Sequence, residues 1–480
     1  MNVAVVLRAT WAVARVLHDR GLGGATVVVG RDARHGSEAF ATAAAEVFAA
    51  HDFRVIALPH PAPTPVVAFA VRRTGAAAGV QITASHNPAR DNGYKVYVDG
   101  GLQIVSPTDR EIEAAIAGAP PADEIARQTV EPTDTSLLDA YVHRAAAMRR
   151  GHDPVRVALT AMHGVGGELG LRTLEAAGFD DVHVVASQFE PDPDFPTVAF
   201  PNPEEPGATD ALLRTAERVG AGIAIALDPD ADRCAVGIPT DTGWRMLSGD
   251  ETGWLLGDFI LSRLGQPEAA GAVVASSVVS SQLLAAIAAD HGARHVQTLT
   301  GFKWLARADD GIPGARLVYA YEEAIGHCVD PEAVRDKDGI SAAVLACDLV
   351  SGLGARGSSV SAALDELARR HGVHTTAAVS RAAATPDEAA AMMARLRDHP
   401  PRELAGIPVT VTDLLQRTDA VILAGGDDGA SVRMVVRPSG TEPKVKCYTE
   451  VRLPPDTDLD AARSRAAALQ SRLLAAARDW

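Results

Sequence analysis

Three aspartates alternate in Asp228-Pro229-Asp230-Ala231-Asp232-Arg233, directly after the apolar run Ile223 to Leu227. In an extended segment, positions i, i+2 and i+4 point to one side, so the three carboxylates converge. Such a set is electrostatically unfavourable without a cation among them, and hard oxygen ligands select Mg²⁺ or Ca²⁺. An EF-hand is excluded, because the sixth position of such a loop is Arg233 rather than Gly and the twelfth is Pro239 rather than Glu. Three protein carboxylates leave room for a phosphate oxygen, the usual way Mg²⁺ serves phosphoryl transfer.

A hydroxyl that could carry the phosphoryl group stands in Ile82-Thr83-Ala84-Ser85-His86-Asn87-Pro88, at the end of another apolar run. Ser85 can accept such a group if its proton has an acceptor and the oxyanions are neutralised. A hydrolase pairing Ser85 with His86 is the alternative, but sequence neighbours rarely form a nucleophile–base pair and no G-x-S-x-G elbow is present. A plain Ser- and Asn-rich turn is the other reading. Arg437-Pro438-Ser439-Gly440-Thr441-Glu442-Pro443-Lys444 offers a guanidinium, two hydroxyls and glycine-exposed N–H groups, the makings of an anion nest or equally of a β-turn. Thr300-Gly301-Phe302-Lys303-Trp304 and Tyr321-Glu322-Glu323-Ala324-Ile325-Gly326-His327 put a lysine and paired glutamates at strand ends, which suits sugar hydroxyls and phosphate, although each alone reads as a surface loop. Asp91-Asn92-Gly93-Tyr94-Lys95 reads first as a turn, close after Ser85.

The lysines are informative because the chain otherwise prefers arginine. Only five of its 45 basic residues are Lys: Lys95, Lys303, Lys337, Lys444 and Lys446. Four of them lie in the candidate loops, and Lys, unlike Arg, can give up its proton when buried. A net charge of −16 argues against nucleic acid or an anionic membrane as partner, but a small anionic substrate is compatible with locally concentrated basic groups. The cysteines, Cys234, Cys328, Cys347 and Cys447, are scattered without a C-x-x-C pair, so neither a disulfide framework nor a zinc site is indicated, and a reducing cytoplasm fits. The opening run Val3 to Leu7 is broken by Arg8 and too short for a signal or spanning segment.

The elements that must position these groups follow from the apolar periodicity. At 480 residues, several domains of about 100–150 residues are expected. Short apolar runs at 25–29, 54–58, 79–82, 155–159, 182–185, 223–227, 273–275 and 317–319 alternate with Ala-rich helical segments, the signature of parallel α/β layers. Ligand groups in such sheets collect past the carboxyl ends of the strands, where most of the polar clusters fall. The spacing predicts three similar α/β units with mixed or parallel sheets, at about 1–150 with the serine loop, 151–270 with the aspartate loop and 271–375 with the sugar loops. A smaller α+β unit at 376–480 carries the phosphate nest, with a helix near 387–396, strands near 409–411, 432–436 and 445–451, and a helix from Asp460.

Taken in this order, the segments resemble the α-D-phosphohexomutase family: phosphoglucomutases, phosphomannomutases and their phosphopentomutase relatives. T-A-S-H-N-P, D-P-D-A-D-R and R-P-S-G-T-E-P-K carry the likeness, supported by Gly30-Arg31-Asp32-Ala33-Arg34 and Pro63-Thr64-Pro65. His163-Gly164-Val165-Gly166, Pro191 to Glu205 and Thr300 to Trp304 are similar to the branch with phosphopentomutases and certain bacterial phosphomannomutases. The resemblance implies four domains around a central cleft, a phosphoserine at Ser85, which also borders the metal, and Mg²⁺ ligands at Asp228, Asp230 and Asp232. It implies substrate contacts from Arg233, Gly301, Lys303, Glu322, Glu323, Arg437, Ser439, Gly440, Thr441 and Lys444. Lys95 is the candidate general acid/base, with His86 beside the serine and His327 as second candidate. The implied reaction moves a phosphoryl group between C1 and C6 of a hexose phosphate through phospho-Ser85 and a sugar 1,6-bisphosphate, in a monomer or homodimer without nucleic-acid or membrane partners. A pentose substrate, bisphosphate synthesis, or a binding protein with impaired catalysis are the nearer alternatives. A haloacid-dehalogenase-type phosphatase with Asp228 as nucleophile is the distant one, and would leave Ser85 without a role.

Two departures from the family pattern bear on these expectations. Ala324 and Ile325 follow Glu323 where the family usually carries a Ser, so one sugar contact is expected to be missing or moved. The family's opening strand and T-A-G-L-R-G-type turn would lie before Met1. An upstream start is the preferred expectation, since deleting a sheet strand would expose an apolar edge.

Overall fold

The computed structural model describes residues 1–439 and 444–479. Its first three sheets share one strand order, second-first-third-fourth, with the first three strands parallel and the fourth antiparallel. In the first sheet these are Thr26–Arg31, Arg54–Ala57, Ala78–Ile82 and Tyr94–Val98, with Leu102–Gln103 added at the edge. In the second they are Val157–Thr160, Val182–Val184, Ile223–Leu227 and Cys234–Thr240, extended by Gly243–Met246. In the third they are Ala272–Ser277, Arg294–Thr298, Arg316–Glu322 and Gly326–Cys328.

The central third strands are buried along their whole length in the first two sheets, which is why Ala78–Ile82 and Ile223–Leu227 are almost uniformly apolar. The fourth sheet is wholly antiparallel, in the order Val373–Ala382, Lys444–Leu453, Ser431–Pro438, Val421–Gly426, Thr410–Asp413. Helices Pro386–Asp398 and Leu459–Asp479 cover it. The expected α/β architecture is therefore present, with a distinct C-terminal α+β unit.

One assignment moves. Helix Gly249–Leu261 lies on the third sheet, not the second, and Gly253 permits the approach: a Cβ there would come within 2.5 Å of the Tyr321 ring. The third layer thus reaches back to about residue 249 rather than 271. No single helix among the described residues is long and apolar enough to cross a membrane. All four cysteines are buried.

The first three units share one apolar core. It runs from Val28, Val67 and Tyr97 through Leu159, Ile225 and Val236 to Val274, Tyr319 and Val344. Buried hydroxyls tie the same units: Tyr97 donates to Asp336 Oδ2 at 2.8 Å and Tyr141 to Asp338 Oδ1 at 2.7 Å. The fourth unit has its own core, including Met393, Leu423, Met434, Val451 and Leu473.

Candidate active site

The site loops occupy one topological position three times, the connection from the third, parallel strand to the fourth, antiparallel one. Ser85 follows Ala78–Ile82, the aspartates follow Ile223–Leu227, and Glu323 follows Arg316–Glu322. Each loop turns through one non-glycine residue in the left-handed region: Ser85 at φ +52°, Ala231 at +52° and Ile325 at +53°. Single residues held there cost about 1–2 kcal/mol, so the surroundings must enforce the conformation.

For the aspartate loop the enforcement comes from three units. Thr64 N–H of the first donates to Asp230 O at 2.9 Å, Val165 N–H of the second to Pro229 O at 2.9 Å, and Gly339 N–H of the third to Ala231 O at 3.1 Å. Gly164 must be glycine because a Cβ would sit 2.4 Å from Pro229 Cα, which gives the His163-Gly164-Val165-Gly166 run its meaning. The three carboxylates do converge, their ligand oxygens within 4.8 Å of one another and all three residues fully buried. The segment is a turn rather than an extended strand, so the convergence comes from Ala231 and not from i, i+2 alternation.

Electrostatically, this pocket calls for a cation. Burial, then the charges of Asp230 and Asp232, push the Asp228 carboxyl well above the usual range. Asp230 is lowered although burial opposes it, because Lys95 lies against it and Thr64 Oγ1 donates to it at 2.6 Å. Asp230 Oδ1 and Asp232 Oδ1 are buried with no hydrogen-bond partner. Two orphaned carboxylate oxygens beside a third carboxylate fit a hard, oxygen-seeking divalent ion.

Around this trio the structure assembles several predicted groups. Ser85 Oγ donates to Asp228 Oδ2 at 3.3 Å, and His86 Nδ1 lies 3.5 Å from the same hydroxyl. Burial, then Arg233, pushes the His86 imidazole down to about 3, so it is neutral. Lys95 Nζ sits 2.7 Å from Asp230 Oδ2 and 2.9 Å from Asp232 Oδ2. Burial would lower the lysine, but the two aspartates hold it above its ordinary value, so it stands here as a proton-bearing cation. Arg233 Nε lies 3.8 Å from Asp232 Oδ1 and 3.9 Å from Asp228 Oδ2. Glu322 is buried near Lys337.

Glu323 is turned toward hydroxyls of its own sheet, accepting from Ser277 Oγ at 3.0 Å and Ser280 Oγ at 3.1 Å. Burial, then Glu322, pushes its carboxyl up to about 7. Glu323 and Ala324 border a cleft of about 680 Å³ with Glu204 of the second unit and Lys446 and Tyr448 of the fourth.

Other predicted residues fall elsewhere. His327 is fully buried, with Nδ1 3.0 Å from Tyr319 Oη and its ring stacked with Tyr319 and Tyr321. It is a core side chain, and burial pushes it down to about 3, so its candidacy as acid/base is withdrawn. Gly301 takes φ +109° ahead of the short helix Phe302–Leu305, and Lys303 Nζ lies 5.8 Å from the Trp304 ring. Among the described residues no ion pair joins Lys303 to the aspartates. Arg437 lies next to the end of the strand Ser431–Pro438, opposite Lys446, and Ser439 N–H donates to Lys444 O at 2.8 Å. Gly440 and Thr441 lie outside the described residues.

Sequence reasoning missed Lys337. Its Nζ is 3.4 Å from Asp232 Oδ2 and 4.0 Å from Glu322 Oε1, which makes it a second lysine over the trio. The available signal was its survival in an arginine-preferring chain.

Comparison with known proteins agrees with this geometry. Family models described as phosphoglucomutase/phosphomannomutase α/β/α domains I, II and III match residues 1–122, 139–241 and 248–371, and the C-terminal domain of that family matches 384–466. A Haemophilus influenzae protein named "Probable phosphomannomutase" is 38% identical, over 91% of this chain and 90% of its own. The mouse phosphopentomutase is 34% identical over 95% and 81%, and the human glucose 1,6-bisphosphate synthase 31% over 89% and 76%. In fold, a phosphoglucomutase/phosphomannomutase family protein from Burkholderia thailandensis superposes with TM-score 0.75 at 23% identity, covering 100% of this chain and 94% of that one. The repeated sheet order, the serine facing three buried aspartates and the matched domains place this chain in the phosphoglucomutase/phosphomannomutase family of phosphosugar mutases.

Proposed function

We propose that the chain is a phosphohexomutase that moves a phosphoryl group between C1 and C6 of glucose or mannose phosphate through phospho-Ser85 and a 1,6-bisphosphate intermediate. The observation that carries this reading is the Ser85 hydroxyl 3.3 Å from Asp228, at the rim of a carboxylate trio with two orphaned oxygens. Asp228, Asp230 and Asp232 would hold Mg²⁺, which when bound supplies charge neutralisation for the phosphoryl oxygens.

The chain's own residues account for the rest. In the donating half, the Ser85 Oγ–P bond breaks and a sugar O–P bond forms, so the serine regains a proton as the sugar hydroxyl loses one. His86 Nδ1 and Asp228 Oδ2 are the acceptors within reach of the serine's proton. The returning half reverses both changes, so the proton count closes over a cycle. Lys95, Lys337 and Arg233 provide positive charge where the transferring group spreads its negative charge. Arg437, Ser439, Gly440, Thr441 and Lys444 take the non-reacting phosphate, and Glu323 and Glu322 face the sugar. A pentose phosphate is the second reading, favoured by the 34% identity to a phosphopentomutase.

The test is intact-mass measurement after incubation with glucose 1,6-bisphosphate and Mg²⁺, beside a coupled assay on glucose-1-, mannose-1- and ribose-1-phosphate. An added phosphate that disappears in Ser85→Ala, with turnover of a hexose phosphate, is the expected result. A phosphate that survives Ser85→Ala overturns the mechanism, and turnover of ribose-1-phosphate alone replaces the hexose by a pentose.

A further inference from the structure

Arg34 is 4% exposed and spends its guanidinium on the serine loop. Nη2 donates to Ser85 O and to Asn87 O, each at 2.6 Å; Nη1 donates to Pro88 O at 2.8 Å and Asp91 O at 3.3 Å. Four backbone carbonyls of a single irregular loop therefore converge on one side chain.

The arginine is itself held from both sides. Asp32, 1% exposed, accepts from Arg34 N–H at 2.9 Å and from Ser37 Oγ at 2.5 Å, and its other oxygen lies 3.3 Å from Arg34 Nε. From the second unit, the buried Phe195 ring lies 5.0 Å from the guanidinium carbon. Beside it, His35 Nε2 meets Asp194 Oδ1 at 2.7 Å.

From this geometry we infer that Arg34 is the positioning residue that holds Ser85 in its left-handed pose and so aims Oγ at the aspartate trio. Ser85 at φ +52° would relax to an ordinary conformation if nothing opposed it. Within the loop, the Ser85 amide finds only the Thr83 hydroxyl, at 3.0 Å. The neighbouring aspartate loop is locked by backbone from three units, whereas the serine loop has turn bonds of its own, Asn87 N–H to Ala84 O and Asp91 N–H to Pro88 O, and this fork from outside. Guanidinium is the group for the task, with several N–H donors fixed in one plane, while an ammonium offers three from a single point. Phe195 makes the aim depend on contact between the first two units.

The inference rests on the reading of Ser85 as the phosphoryl carrier, and the experiment separates the two. Rapid-quench intact mass gives the rate of phosphoryl transfer from glucose 1,6-bisphosphate to Ser85, and steady-state assays give kcat and KM. Arg34→Lys is expected to slow transfer by about 10- to 100-fold, the range for a nucleophile displaced by about 1 Å, with KM within about 2-fold. An unchanged transfer rate overturns the inference, and so does a KM that rises in step with a fall in kcat. Should Arg34→Lys not fold by circular dichroism, Phe195→Leu decides. It leaves the four carbonyl bonds but removes the ring, and is expected to slow transfer by about 2- to 5-fold at constant KM; no slowing refutes the proposal. If the wild-type serine takes up no phosphate, the reading of Ser85 falls and this inference with it. A wild type that is phosphorylated, matched by an equally fast Arg34→Lys, sinks the inference alone.

Discussion

The first three units and the fourth are built on opposite principles. Units one to three share one apolar core beside smaller clusters of their own, and exchange backbone hydrogen bonds around the aspartate loop. The fourth keeps its own core and meets the others in part through polar groups centred on Glu450. That carboxylate accepts from Ser281 Oγ at 2.6 Å, Gln282 N–H at 3.0 Å and His374 Nδ1 at 2.8 Å, and Arg433 adds a bond to Val278 O. Apolar contact adds to this join through the cluster of Val278, Val279 and Val435, Ala368 in the fourth unit's core and the Trp254 ring against His374. The contrast separates two needs. Groups proposed to touch the transferring phosphoryl must be fixed to tenths of an ångström, whereas the unit proposed to hold the distal phosphate can be joined with more polar, directional bonds.

The largest test of this contrast is Tyr141→Ala. The side chain is buried in the shared core, edge-on to Phe69, and its hydroxyl caps Asp338. A loss of about 3–5 kcal/mol is expected. Hydrogen exchange read by peptide should register it across 60–370 while Ser431–Pro438 and Leu459–Asp479 keep their protection; equal loss in both would merge the two bodies into one.

Next comes Glu450→Gln, expected to cost about 1–3 kcal/mol. It should speed exchange in the fourth unit first, and uniform loosening would contradict a local join. The same residue sets a pH dependence. Burial alone would raise the Glu450 carboxyl, but the bond from His374 and those from Ser281 and Gln282 outweigh it and hold it below its ordinary 4.5. Its contribution is therefore present above pH 4.5 and lost as pH falls through the lowered value. The fourth unit's protection should drop on acidification in the wild type but not in Glu450→Gln.

At Glu323 the sign of the pH dependence reverses. Its carboxyl is raised from 4.5 to about 7, so the stability it contributes is complete below pH 4.5 and disappears as pH rises through 7. Glu323→Gln should flatten the melting temperature between those values, and an unchanged slope would show that burial and Glu322 do not hold the carboxyl protonated.

Much of this was legible in the sequence where the signal is local. Apolar runs marked the strands buried on both faces, such as Ala78–Ile82 and Ile223–Leu227, because such strands admit little else, but the half-exposed parallel strand Arg294–Thr298 gave no run and was missed. The aspartates announced themselves by spacing, although a left-handed alanine and not a strand brings them together. The antiparallel strand Tyr94–Val98, which carries Lys95 to the trio, was hidden behind the turn signal of Asp91-Asn92-Gly93. Lys337 and Arg34 act on groups far away in the chain, and no local period marks such contacts. The same long-range packing took His327, which follows a glutamate pair in sequence, and buried it among tyrosines.

The locks on the aspartate loop also set an order of events during synthesis. Thr64 lies 166 residues before Asp230, and Tyr97 waits for Asp336 across 239 residues. With chains growing at about 5–20 residues per second, the loop emerges long before its last clasp, Gly339, leaves the ribosome. A carboxylate trio whose burial is costly therefore spends many seconds solvated, and its pocket closes only once most of the third unit has been made.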